Sequence, residues 1–269
     1  MITPTRENIL LSLARYKFLT SHQIERLGIC HYIHATKNIK TLRELGLVDS
    51  ISIGIIPKMG RIDNLNFLTP KGAKLLRENT EVDEIQHPSN PNNFFSNDFI
   101  HRINTLDCWI SFDLWAKSKG FEVDFVDTYF LKNGAIKKEG LQSRTRLILD
   151  DGKHYEPDLI ARYTDTENKR HLFILELYND ISATRPTKSL KKNLKGIVSG
   201  SATEKYNHDK GYRVLAVFEK GNVMENTIKN IQGEADFANM KPFFLFKTLG
   251  NIERFGENWS DRDFDFVSL

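Results

Sequence analysis

The chain is poor in cysteine: Cys30 and Cys108 are its only two, far apart in 269 residues. That excludes a small secreted scaffold built on disulfides. No grouping of Cys and His has the spacing of a zinc site. Long apolar runs are also missing, and none approaches the ~20 residues that a bilayer-spanning helix needs. The opening segment, Met-Ile-Thr-Pro-Thr-Arg-Glu, lacks the charged-then-apolar pattern of a secretory signal. There is no internal repeat and no low-complexity tract. The expected setting is a reducing cytoplasm, with no membrane partner.

What remains is an ordinary globular balance, 40% hydrophobic and 27% charged residues, which suits one large domain or two small ones. The net charge of +3 is unevenly spread. Residues 1–79 hold twelve lysines and arginines against six acids, so this segment carries +6 and the remainder −3. The basic character belongs to the N-terminal part, which favours an anionic partner there.

Periodicity and punctuation divide that part. Residues 5–16 read as a helix capped by Thr5, with Ile9, Leu10, Leu13 and Ala14 on one stripe. A short helix follows Thr20 and ends at Gly28. A third runs from Tyr32 to about Leu45 and stops at Gly46. Residues 47–56 alternate as a strand, 57–63 turn, and 64–68 return. Thr69-Pro70 opens a fourth helix, with proline at its first position. This order is that of a winged helix-turn-helix. On the third helix Ala35, Ile39 and Leu42 form the packed side, and His34, Lys37, Lys40 and Thr41 lie broadly opposite, free to meet a DNA major groove. Lys58 and Arg61 fall in the wing turn. The expected partner is double-stranded DNA, although such a module also serves as a protein dock.

The polar stretch 81–97, with Pro88 and Pro91, reads as a linker between a domain at 1–80 and another at 98–269. The second begins with a helix to Lys119 that is apolar on two faces. Strands follow at about 121–127, 145–149, 159–163 and 172–177. A helix at 186–199, a buried strand at 212–218, a helix at 222–232 and a strand at 243–247 complete it. The expected class is α/β (α+β). The last ~20 residues, with Phe255, Trp259, Phe264 and Phe266, read as a tail that docks either on the body or on a partner.

Chemistry concentrates at Glu156-Pro157-Asp158 and Glu176-Leu177-Tyr178. A turn delivers one acid, and the next strand delivers another. Hard oxygen donors of this kind suit Mg²⁺ or Mn²⁺ and metal-activated water. The arrangement resembles the PD-(D/E)xK nucleases, which implies Asp158 and Glu176 as metal ligands and a restriction-endonuclease-like mixed sheet. Two residues past the glutamate, where that pattern has lysine, stands Tyr178. Lys188, Lys191, Lys192 and Lys195 on the next helix are substitutes or contacts for a DNA backbone, with Lys191 and Lys195 the leading pair. Tyr178 itself is a candidate nucleophile on a phosphodiester. Glu156, Asp180, His101, Asp107 and His154 are lesser candidates.

The segment Leu-Thr-Pro-Lys-Gly-Ala-Lys-Leu-Leu (68–76), His101 on a helix, Asp151-Gly152, Pro157-Asp158-Leu159 and the strand ending at Glu176 together resemble the replication-relaxation family of bacterial plasmids and mobile elements. The resemblance covers both halves and implies a winged helix joined to a nuclease-like core. It implies a role in plasmid replication or mobilisation, alongside the proteins of those processes. The chain departs from the pattern at Leu177-Tyr178-Asn179-Asp180, which bears on metal chemistry and leaves DNA binding untouched. Two alternatives stand beside it: a transcription regulator whose larger domain dimerises or senses a ligand, and a metal-dependent DNA endonuclease.

Overall fold

The structure, a computed structural model, describes residues 2–52, 54–56, 60–81, 85, 87–88, 99–133, 142–238, 241–261, 263 and 265–269. The chain divides into two compact units, Met1–Arg102 and Ile103–Leu269.

In the first unit, helices α1 (Pro4–Tyr16), α2 (Ser21–Arg26) and α3 (Tyr32–Glu44) precede β1 (Val48–Ile51), β2 (Ile55–Ile56), β3 (Gly60–Arg61), β4 (Leu65–Leu68) and α4 (Pro70–Asn79). Thr3, rather than Thr5, caps α1, because Pro4 already occupies the first helical position. Thr20 and Gln23 form a reciprocal capping box that starts α2. Strands β1 and β4 pair antiparallel, Val48 opposite Leu68 and Ile51 opposite Leu65. Leu19 adds a bridge to Asn66, whose side-chain amide also donates to the Leu19 carbonyl at 2.9 Å. The single strand expected over 47–56 is two, β1 and β2, separated around Gly54, whose φ of 84° breaks the extension. Gly72 in α4 lies directly against the Leu47 carbonyl, where a side chain has no room. Ile9, Leu10, Leu13, Ile24, Ala35, Leu42, Leu65 and Leu76 fill the core. Lys58 and most of the expected linker lie outside the described residues.

Helix α5 (Phe99–Lys119) continues into the second unit. Leu106 and Ile110 are buried, as are Cys108 and Phe112, in keeping with a helix covered on two sides. After it come β5 (Glu122–Thr128), the short pair β6 (Lys132–Asn133) and β7 (Gln142–Ser143), and the short pair β8 (Leu147–Ile148) and β9 (His154–Tyr155). The expected strand at 145–149 is therefore only a two-residue arm. It pairs with His154–Tyr155 across a turn at Gly152 and does not join the main sheet.

The main sheet is built from β5, β10 (Leu159–Thr164), β11 (Arg170–Tyr178), β12 (Arg213–Phe218), β13 (Phe244–Thr248), β14 (Trp259–Ser260) and β15 (Phe266–Val267). Its order is β15-β14-β13-β12-β11-β10-β5. β5, β10 and β11 form an antiparallel meander, whereas β11, β12 and β13 run parallel. Parallel neighbours require crossovers. Helices α6 (Thr184–Ser199) and α7 (Ser201–Lys205) connect β11 to β12, and α8 (Gly221–Gln232) connects β12 to β13. Alternation along β11 sorts its side chains between two layers. Phe173 meets Phe112 of α5 at 5.0 Å between ring centroids, edge to face. Ile174 and Tyr178 join Leu190 and Leu194 of α6 and Ile228 and Ile231 of α8 in the opposite core.

The C-terminal segment docks on the body. Phe255 and Trp259 are buried, and β14 and β15 extend the sheet beyond β13. Phe266 is largely exposed, and Phe264 is outside the described residues. The whole is mixed α/β, with eight α-helices and a seven-stranded mixed sheet among the described residues. Among them, no helix is long and apolar enough to cross a membrane.

Candidate functional site

Two regions carry the residues singled out from the sequence, one in each unit. On α3, Ala35, Ile39 and Leu42 are buried. His34, Lys37 and Lys40 are exposed, and Thr41 is half-buried, its hydroxyl donating to the Lys37 carbonyl at 3.2 Å. Neither Lys37 nor Lys40 makes an ion pair among the described residues. Arg43, farther along, lies 3.8 Å from Asp49. Arg61 is exposed on β3. The helix thus keeps its apolar stripe inside and its cations in solvent.

In the second unit the β10–β11 register places Leu159 opposite Leu175. Asp158 and Glu176, one position outward, therefore sit together at the same end of this hairpin. Asp158 is half-buried, and its Oδ2 accepts the Leu177 N–H at 2.7 Å. Glu176 shares its strand parity with Ile174 and Tyr178, so it points beneath α6 and is only 7% exposed. There its Oε1 accepts from the side-chain amide of Asn193 at 2.9 Å, and Asn193 is itself fully buried. A carboxyl group so enclosed needs such a donor.

Around this pair lie further buried polar groups. The hydroxyls of Tyr155 and Tyr212 press against Gly196 of α6, and among the described residues neither makes a hydrogen bond of regular geometry. Burial pushes the Tyr155 phenol well above its ordinary range, with Tyr212 and Glu176 adding to the effect. Burial likewise raises Tyr212, to about 12. Tyr178 is enclosed too. Its hydroxyl donates to Ser189 Oγ at 3.1 Å, and its ring centroid lies 4.9 Å from that of Phe218. Burial, and then the charge of Glu176, keep its proton on far above the usual phenol range. Attack on a phosphodiester needs a phenolate that substrate can reach. Tyr178 as placed is a neutral core residue.

Comparisons with family models, with curated proteins and with solved structures found no match for this chain. The site therefore has to be judged on its own geometry.

A magnesium or manganese site wants about six oxygen donors around the ion, several from carboxylates or water. Among the described residues no three Asp, Glu, His or Cys side chains converge to hold one. Asp158 and Glu176 each have an oxygen already committed, and the buried neighbours of Glu176 are an amide and phenols. The residues as placed supply two carboxylates, and an ion held by these alone would have to take its remaining oxygens from water or substrate. The lysines of α6 do not complete it. Lys188, Lys191, Lys192 and Lys195 are all exposed, whereas Asn193 and Leu194 face the sheet. Lys191 pairs with Glu234 at 2.9 Å, and Lys195 borders a groove with Asp150, Asp151 and Val198.

Of the lesser candidates, Glu156 and His154 are exposed, and Asp180 lies 3.6 Å from Arg185. His101 and Asp107 lie on α5. The residues that sequence reasoning passed over are Asn193, Gly196 and Tyr212. One signal was present: Asn193 and Gly196 interrupt the Leu190–Leu194–Ile197 stripe, and a polar residue at a core position calls for a partner.

Proposed function

We propose that this chain binds double-stranded DNA through its N-terminal unit. We read α1–α4 with β1–β4 as a winged helix-turn-helix whose α3 enters the major groove, and the second unit as a nuclease-like fold that acts as a scaffold without cutting. The observation that carries the proposal is the cationic face of α3. His34, Lys37 and Lys40 stand in solvent on a helix anchored by its opposite side, within a segment of charge +6. Arg61, with Lys58, would meet the flanking backbone. Lys191 and Lys195 of α6 offer a second row for phosphates.

For the second unit, the order helix, three antiparallel strands, helix and parallel strand supports a nuclease-like reading, as does the Asp158–Glu176 juxtaposition. The engaged acids, the buried Tyr178 and the outward lysines support a non-cleaving role. In a plasmid or mobile element, such a protein would hold origin or transfer-region DNA for replication or mobilisation proteins.

Fluorescence anisotropy with labelled duplexes tests the first part. Wild-type protein should bind, and Lys37→Ala/Lys40→Ala should bind far more weakly; equal affinity in the two removes the proposed interface. A nicking assay on supercoiled plasmid with Mg²⁺ or Mn²⁺ tests the second. No conversion is expected, and metal-dependent nicking that is lost in Asp158→Asn would show the scaffold reading to be wrong.

A further inference from the structure

At the other end of the main sheet, away from the two acids, the starts of β11 and β12 lie side by side, because the register pairs Phe173 with Arg213. His171 and Glu176 are five positions apart along β11, roughly 17 Å. A surface pocket of about 150 Å³ opens there. Lys169, Arg170, Lys210 and Arg213 line it together with His171, His208 and the chain-terminal Leu269, and no Asp or Glu side chain among the described residues does.

The pocket is rigid on one side. His171 stacks on Tyr163 at 4.8 Å and 14°, and Tyr163 stacks on Phe121 at 5.2 Å and 11°. Asp165 fixes the His171 ring through a 2.8 Å contact to Nε2, and Glu167 holds Lys169. His208 is buried in the floor, where burial and then the charge of Arg162 lower its pKa. The three remaining cations, Arg170, Lys210 and Arg213, are exposed and make no ion pair among the described residues. Three cations without an ion pair among the described residues, around a concave pocket with a fixed aromatic wall, form an anion receptor. The volume is below the ~300 Å³ at which sites for drug-sized ligands begin, so a compact anion suits it. Arginine forks match the tetrahedral oxygens of phosphate in pairs.

We infer that this pocket binds a phosphoryl group, held by Arg170, Lys210 and Arg213 against the His171 wall. The group could belong to free phosphate or a nucleotide, or to the terminus of a nucleic-acid strand. The pocket shares no residue with the α3 surface or the acid pair.

The test is isothermal titration at constant ionic strength, chloride balancing each ligand. The probes are inorganic phosphate, adenosine monophosphate, and one oligonucleotide with and without a 5′-phosphate. The proteins are wild type and Lys210→Gln/Arg213→Gln, whose replaced side chains are exposed, so the fold should survive; circular dichroism checks this. At least one phosphate-bearing probe should bind wild type and bind the variant about tenfold or more weakly, the loss expected from removing charge-assisted bonds. Binding of inorganic phosphate or the nucleotide, with no gain from the 5′-phosphate on the oligonucleotide, assigns the site to free anions. Preference for the phosphorylated oligonucleotide assigns it to strand ends. The inference is overturned if no probe binds wild type, or if wild type and variant bind alike. Because Lys37→Ala/Lys40→Ala should leave phosphate binding intact, failure here is separable from failure of the DNA-binding proposal.

Discussion

Replacing Lys37 and Lys40 by alanine offers a quantitative handle on the proposed interface. Both side chains are exposed on α3 and free of ion pairs among the described residues, so their loss should change stability by less than about 0.5 kcal/mol. Alanine also suits a helix interior at least as well as lysine. If each lysine neutralises one phosphate, each contributes about 0.9 to the slope of log affinity against log salt. The double variant should therefore show a slope shallower by about 1.8. Between 50 and 200 mM salt, wild type should lose about twelvefold more affinity than the variant, which is four raised to the power 1.8. Anisotropy titrations at four salt concentrations, on two unrelated duplexes, measure this. A uniform loss on both duplexes marks backbone contacts, and a loss confined to one marks base readout. An unchanged slope with unchanged affinity would refute the placement of α3 on DNA.

Four other outcomes follow from the packing. Gly196→Ala should lower stability by about 1–3 kcal/mol in urea denaturation, since a methyl there runs into the Tyr155 hydroxyl. Asn193→Leu should cost about 1–3 kcal/mol by removing a donor to the buried Glu176, and adding Glu176→Gln should recover part of it in a double-mutant cycle. Trp259→Ala, at a fully buried site in the C-terminal segment, should cost about 3–5 kcal/mol, and a change below 1 kcal/mol would mean that this segment is not part of the core. Burial raises Tyr163 and Tyr212 to about 12, above the ~10 of a solvated phenol. Between pH 10 and 12 the unfolded chain therefore releases protons that the folded chain keeps, and stability falls as pH rises. Near-ultraviolet titration should show tyrosinate forming late and together with unfolding.

Local chemistry made much of the fold legible. Thr69-Pro70 marks the start of α4, and the helix ends at Asn79, where the periodic pattern stops. Val214-Leu215-Ala216-Val217-Phe218 is apolar on both faces because β12 lies between two parallel neighbours and is buried on both faces. Pairing across long sequence separations was not legible. β14 meets β13 through a single pair, Phe246 with Ser260, and two residues give no period to detect. The arm at Leu147–Ile148 has a buried leucine and an exposed isoleucine, the alternation of any strand, yet nothing in that alternation names His154–Tyr155 as its partner.

The acids show where such legibility ends. Their presence at one hairpin end follows from Pro157-Asp158 before one strand and Glu176 near the end of the next. Their surroundings depend on which face each occupies. Strand parity puts Glu176 with Ile174 and Tyr178, and those two belong to the core under α6. Position 178, where the nuclease pattern has lysine, is thus sealed between Ser189 and Phe218. An ammonium group there would be desolvated, with Glu176 as its nearest compensation. Tyrosine fills the volume, keeps its proton, and asks only for one hydroxyl partner. The tyrosine and the burial explain each other: with α6 over this face, a neutral side chain is the stable occupant, and Glu176 has its donor in Asn193.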